Sequence, residues 1–348
     1  MALAVVGCSG GGEGGIAIHA PGATLVAAQD GAGSWQQVPL DADDRGRFEA
    51  TAGYHGIARF CPPRDLGGTL FPVAPKIVLT TEFTALEMSC NGRTPDLMIS
   101  GVTTPGAEIS IGNDFASADN DTYTLFVDAG VYDVVATLLG ERVLIVRDLE
   151  ITADRELDLP VGDGGIDLVD LTPTVIDPLG SPILLAADVT TKNGTFALFH
   201  EGPAPARVPP SSALAAGDHA TIAAFGHDCL AQLPLADPVT LQLPAPLTGS
   251  IRRTGVRYEA DPSVAWDQLS LNIGGSEGFF LFATMQWLEA QGDPEVMPGI
   301  DPPTFEGWTP ELGGFLAPGA TVTGRLSLFR GALDGDFTAC SVSETFVW

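Results

Sequence analysis

The stretch GSWQQVPLDADDRGRFEATAGYHGIARFC, Gly33 to Cys61, decides the fold class. After a polar turn, Phe48, Ala50 and Ala52 point one way while Arg47, Glu49 and Thr51 point the other. That period of two marks a strand with one face buried. Ala52-Gly53-Tyr54 turns the chain, and Gly56-Ile57-Ala58-Arg59-Phe60 resumes the extended pattern up to Cys61. The pair reads as an antiparallel hairpin laid on an apolar surface.

The rest of the chain is written in the same alphabet. Its 42 glycines and 27 prolines recur at short intervals, as short strands joined by tight turns require. At 348 residues it allows about two to four domains, and 45% hydrophobic residues can fill their cores. The longest apolar run, Phe279 to Leu288, is about half of the roughly 18 to 20 residues of a membrane helix. Its aromatic content favours strand over helix for Phe279 to Ala290.

Sixteen basic residues stand against 44 acidic ones, for a net charge of -28, and Lys76 and Lys192 are the only lysines. A charge of that sign repels phosphate backbones, which excludes nucleic acid as a partner, and it disfavours an anionic membrane surface. It offers many oxygen ligands to divalent cations without specifying one.

At the N-terminus, Val5-Val6-Gly7-Cys8 resembles the lipobox that ends a bacterial lipoprotein signal peptide. The resemblance implies acylation of Cys8 and a glycine-rich tether after it. Setting Cys8 aside leaves Cys61, Cys90, Cys229 and Cys340, which allow three pairings. Cys61 and Cys90 end successive apolar stretches, so a local bridge is expected, and Cys229 with Cys340 follows by elimination. An exported chain would oxidise all four. No two cysteines have CxxC spacing, so zinc and dithiol redox chemistry lack their basic signature.

Three segments end alike: TEFTALEMSC (81–90), TADRELDLPV (152–161) and DPVTLQLPAP (237–246). Each suits the closing strand of a small sandwich. Upstream of the second, PGAEISI (105–111), TYTLFVDAG (122–130) and VYDVVATL (131–138) resemble the transthyretin-like or carboxypeptidase-regulatory-like family of β-sandwiches. That resemblance implies fold alone and carries no catalytic residues with it. Further on, Lys192-Asn193-Gly194 is a hairpin turn, GPAPARVPPSS (202–212) reads as a loop, and GDGGID (162–167) as a linker.

Candidate chemistry is sparse. Gly274-Gly275-Ser276-Glu277-Gly278 has the GxSxG spacing of a nucleophile elbow, but no histidine follows it, so a hairpin turn is expected. His219, His227 and Asp228 lie close in sequence, as a metal site would require, but form no HxH or HExxH pair; surface or strand-end positions are expected. Asp41 to Gly46 begins like an EF-hand loop and lacks the bidentate acid, so it reads as a solvated turn. In the second sandwich Asp114, Asp119 and Asp121, with Asn113 and Asn120, form the one loop suited to Ca2+; no other cofactor is expected. Phe305 and Trp308, in the proline-bounded segment 292–318, are the candidate ligand-stacking aromatics.

The expected molecule is all-β, built of tandem antiparallel β-sandwich units of the Ig-like or prealbumin-like kind. Residues 1–15 form the lipobox and tether, 16–92 the first sandwich, 93–162 the transthyretin-like second and 163–246 the third. Residues 247–348 form an aromatic-rich C-terminal β domain, or one unit with 163–246. The expected role is that of an exported, non-catalytic binding or structural module. It would be tethered by a lipid anchor to the bacterial outer membrane, periplasmic or cell-surface, with a protein or glycan ligand. A secreted hydrolase with its acids in 247–348 and a carrier of an apolar ligand are the alternatives. A cleft lined by an acid pair would favour the hydrolase, and a closed apolar pocket the carrier.

Overall fold

The computed structural model describes residues 15–31, 33–51, 55–62, 64–66, 69–71, 75–81, 86–90, 97–112, 114–118, 120–138, 140–180, 183–202, 205–236, 238–274, 278–290, 292, 296–298, 319–332 and 335–348. The molecule is all-β, and its strands follow one plan three times over. In the first sandwich, Ile16–His19 pairs antiparallel with Arg45–Phe48 and parallel with Leu86–Glu87. The opposing sheet runs Gln36–Gln37, Leu25–Asp30, His55–Phe60, Lys76–Thr80. Between them Ile16, Ile18, Val26, Ala28, Ile57, Val78 and Met88 form the core. Each fully buried aliphatic chain contributes about 1.5–3 kcal/mol.

The second sandwich repeats this order. Leu97–Val102 pairs antiparallel with Thr122–Val127 and parallel with Arg155–Glu156. Opposite lie Asp114–Ser117, Ala107–Ile111, Gly130–Leu138 and Arg142–Ile151. In the third, Gly194–Gly202, Leu184–Thr191, His219–Gly226 and Cys229–Pro234 form one sheet. Val169–Leu171 pairs antiparallel with Ala206–Val208, and Thr174–Ile176 parallel with Thr240–Gln242. The three similar segment ends seen in the sequence are therefore closing strands, each parallel to the first strand of its own sandwich, which in the third is broken into Val169–Leu171 and Thr174–Ile176.

Three local expectations are corrected first. The two strands of Gly33–Cys61 are not a hairpin: Arg45–Phe48 belongs to one sheet and His55–Phe60 to the other. The Ala52-Gly53-Tyr54 corner lies outside the described residues. Alternation identifies a strand but not its partner, and His55–Phe60 is buried on both faces, with Trp35 against Gly56 on the side away from Ile57. Next, GDGGID is structured rather than a linker, since Val161–Gly164 forms a helical turn and Ile166–Asp167 pairs with Arg142–Val143. Lastly, the proline-rich segment holds the strand Ala206–Val208, because its flanking prolines leave these three residues free to pair.

The described residues fall into two compact units. One takes in Met1–Gly92, Pro246–Arg330 and Ala339–Trp348, so the first sandwich and the aromatic-rich segment, expected as separate domains, are one body. Their junction is the strand Phe279–Thr284, parallel to Lys76–Thr80 with Phe280 opposite Lys76 and Phe282 opposite Val78. Beyond it come Gln268–Ile273 and Thr321–Gly331. The side of this sheet carrying Leu269, Leu271, Ile273, Leu281, Leu326 and Leu328 is buried. The chain stays extended through Thr284 and then turns into the helix Met285–Ala290, whose Trp287 N–H donates to Thr284 Oγ1 at 3.2 Å.

The other unit comprises Arg93–Ala245 and Gly331–Thr338. Within it the Lys192-Asn193-Gly194 turn joins the third sandwich to the second. Asn193 donates to Asp133 Oδ1 at 2.9 Å, and Lys192 pairs with Asp148 at 2.5 Å. Asp133 faces this turn beside a register shift between Tyr132 and Val134, and Asp148 stands in the left-handed region at φ 51°. Arg147 adds an ion pair to Asp218 at 2.6 Å.

Cys61 and Cys90 are joined by a disulfide across a sequence separation of 29, and Cys229 and Cys340 are disulfide-bonded as well. Opening the first loop by Cys61→Ala with Cys90→Ala is expected to cost about 3.6 kcal/mol on the loop-entropy model, read from denaturant melts. A Cβ on Gly101 would meet the Leu157 carbonyl oxygen at 2.0 Å, where the closing strand crosses the first. Gly101→Ala is therefore expected to lose about 2 kcal/mol or more, whereas Ser100→Ala on the same strand changes stability little.

Candidate functional site

The parallel pair Lys76–Thr80 and Phe279–Thr284 ends at one level, and there a cavity of about 590 Å³ opens. Val78, Leu79 and Leu86 wall it from the first sandwich, while Trp266, Phe282, Ala283 and Met285 wall it from the C-terminal segment. Thr80, Gln268, Thr284 and Gln286 bring hydroxyls and amides, and Asp267 and Glu289 bring carboxylates. Apolar walls with a few placed polar groups are the usual make-up of a small-molecule site.

Neighbouring backbone holds these side chains. The Trp266 indole N–H donates to the Asp261 carbonyl at 3.3 Å. Asp267 donates its N–H to Phe329 O at 2.8 Å and accepts from Met285 N–H at 3.0 Å, which clamps the helix start to the sheet. Thr81 Oγ1 donates to Gln286 Oε1 at 3.1 Å. The Phe282 ring lies beneath Lys76, with Nζ 5.3 Å from its centroid.

Arg59 is the cross-strand partner of Lys76. It is buried, and its Nη1 donates to the carbonyls of Ser89 and Met88. Burial holds the Arg59 guanidinium below its usual pKa, and burial together with Arg59 does the same to the Lys76 ammonium. Asp267 and Glu289 are both exposed, at the mouth.

The candidates named from sequence do not gather here. Cys8, Phe305, Trp308, Asp119 and Ser276 lie outside the described residues. Asp114 begins an exposed strand, and the Asp121 carbonyl accepts from Thr103 N–H at 2.8 Å. Among the described residues no three His, Cys, Asp or Glu side chains cluster to hold a metal. His227 Nδ1 lies 3.2 Å from Asp177 and its Nε2 3.0 Å from the Pro244 carbonyl. His227 and Asp228 form the two-residue turn between His219–Gly226 and Cys229–Pro234, with φ of 38° and 62°. Gly274 and Gly278 lie between the paired strands Gln268–Ile273 and Phe279–Thr284, a strand-to-strand connection where an elbow needs strand to helix. Asp41 Oδ1 accepts from the N–H groups of Asp43 and Arg45, each at 2.9 Å, as a turn does, and these bonds hold its carboxyl below the usual range.

The cavity itself went unpredicted, because half of its wall comes from about 200 residues away in the chain. One signal was present: a lysine opening the apolar strand KIVLT in a chain with only two lysines. No family model matches the chain, and no curated protein matches it.

Away from the cavity, Asp188 is a carboxyl that burial pushes up to about 6. It lies between Ala197 and Thr221 on the neighbouring strands. The native state then holds a proton that the unfolded chain gives up near its ordinary value of 3.8, so stability falls as pH rises from about 4 to about 6 and stays lower above that. Asp188→Asn should remove this slope and stabilise the protein at pH 7 by about 1–2 kcal/mol, after allowing for partial exposure. Thermal melts from pH 4 to 8 check it: parallel curves for the two proteins would contradict the assignment.

Proposed function

We propose that this chain is an exported, non-catalytic binding module whose cavity beside the first sandwich takes a small, partly apolar ligand. The observation that carries this reading is the make-up of the cavity. Trp266, Phe282, Met285 and Leu86 offer flat and pliable apolar surface, and Gln268, Gln286 and the threonines set orientation. The disulfides favour an oxidising compartment. Among the described residues no helix is long and apolar enough to cross a membrane. Attachment through an acylated Cys8 at the outer membrane belongs to the same proposal. The threefold strand order, with its parallel closing strand, supports kinship with transthyretin-like sandwiches.

One observation favours the hydrolase reading: Asp267 and Glu289 line the same cavity. Both are exposed, however, whereas a general acid working near neutral pH needs a site that desolvates it. Carboxylates at a wet rim do not suit proton transfer near neutral pH.

Titration with the neutral fluorophore N-phenyl-1-naphthylamine is expected to show saturable binding. Gln268→Trp, which fills the cavity, should abolish it, while Asp267→Asn with Glu289→Gln should leave it within about threefold of the parent. Binding that ignores the cavity-filling variant would overturn the proposal. Turnover of a glycoside or ester that the double acid variant loses would establish the hydrolase instead. Mass spectrometry of the protein from its native host is expected to find an acyl mass on Cys8, and a bare thiol there would remove the anchor.

A further inference from the structure

We infer that Lys76, backed by Arg59, seats the anionic head of the cavity's ligand, a carboxylate or phosphate monoester carried on an apolar body. This rests on the reading of the cavity as a ligand site and adds to it the ligand's charge. The two cations are cross-strand neighbours, Arg59 buried and Lys76 half-buried, in a chain whose acids outnumber its bases 44 to 16. Other basic side chains of the described residues pair with carboxylates, among them Arg47, Arg142, Arg147, Lys192, Arg207 and Arg252. Among the described residues no carboxylate lies within ion-pair distance of Arg59 or Lys76.

Two like charges set side by side out of water cost several kcal/mol unless something compensates them. The compensation in view is partial. Arg59 spends Nη1 on two carbonyls, while its buried Nε has no hydrogen-bond partner among the described residues. Among the described residues Lys76 has the face of Phe282, an attraction of about 0.5–2 kcal/mol. Phe282 is also part of the cavity wall, and Val78, two residues along from Lys76 on the same face, is another part. An apolar body lying on Phe282 and Val78 therefore brings its head up to the Lys76 ammonium. Burial and the neighbouring guanidinium both press that ammonium to lose its proton, and a bound anion would hold the proton on. Asp267 and Glu289 belong to the helix side of the same cavity, where they would repel an anion bound the other way round.

The test uses the whole protein and four ligands of one chain length: octanoate, octyl phosphate, octanol and octyl glucoside. Calorimetric titration at pH 7 is expected to show one or both anions binding at least about tenfold more tightly than the neutral pair, and which anion leads identifies the head group. Lys76→Met should bring the anions down to the level of octanol and leave octanol unchanged, and Lys76→Arg should restore most of the difference. Because Lys76 and Lys192 are the only lysines, acetic anhydride labelling read by mass spectrometry gives a second measure. Saturating octanoate should protect Lys76 and not Lys192. Octanol binding as well as octanoate, or an anion preference that persists in Lys76→Met, would overturn the anionic seat while leaving the cavity reading intact. Failure of all four ligands to bind would overturn both.

Discussion

The parallel pairing of Lys76–Thr80 with Phe279–Thr284 is the contact on which the working part of this molecule depends. The two strands lie about 200 residues apart in the chain, so bringing them together costs loop entropy that only extensive burial can offset. The offset lies in the aliphatic side of the resulting sheet, where Ile77, Leu281, Leu271 and Leu326 stand in one row, all buried. On the other side the row changes character. Ile57 and Val78 are buried in the first sandwich, but Phe282, Ser270 and Ser327, next in line, are not fully covered. The cavity is where the covering sandwich stops and the sheet goes on.

A second constraint explains why the sandwiches can lend a strand in this way. Each is closed by a very short strand parallel to its first, Leu86–Glu87, Arg155–Glu156 and Thr240–Gln242. Such a strand contributes few ladder bonds, so its position is fixed by what surrounds it. In the second sandwich the closing segment crosses at Gly101 too closely for any side chain, and in the first the disulfide ties Cys90 to the end of strand His55–Phe60. Arg59 reaches the same segment through the carbonyls of Met88 and Ser89. The residue that helps hold the first sandwich shut thus also sets the charge beside Lys76.

Local pattern was legible in the sequence wherever it is local in space. The strands Ala107–Ile111, Thr122–Val127 and Gly130–Leu138, the Lys192-Asn193-Gly194 turn and the Cys61–Cys90 bridge could all be read from alternation, turn chemistry and spacing. What could not be read was partnership. Alternation along Arg45–Phe48 and His55–Phe60 is equally compatible with a hairpin and with two opposed sheets, and the sandwich takes the second. Phe279 to Ala290 looked like one element and is two, because Thr284 can end a strand with its backbone and begin a helix with its hydroxyl. Trp266 was visible as an aromatic and Lys76 as a rarity, but nothing in either segment announces the other.

The acidity of the chain and the cationic pair follow from one electrostatic arrangement. A net charge of -28 spread over the surface acts on a distant ion through water and salt, where it is screened beyond about 8–10 Å. Lys76 and Arg59 act at contact, in a place that excludes much of that screening. The outer field therefore turns away extended polyanions, which must approach along their whole length. A small amphiphile of the kind proposed would meet only the short final stretch, with Phe282 against its body and the ammonium against its head. On that proposal, selectivity for size as well as for sign would follow from setting a buried guanidinium behind a half-buried ammonium inside an acidic protein.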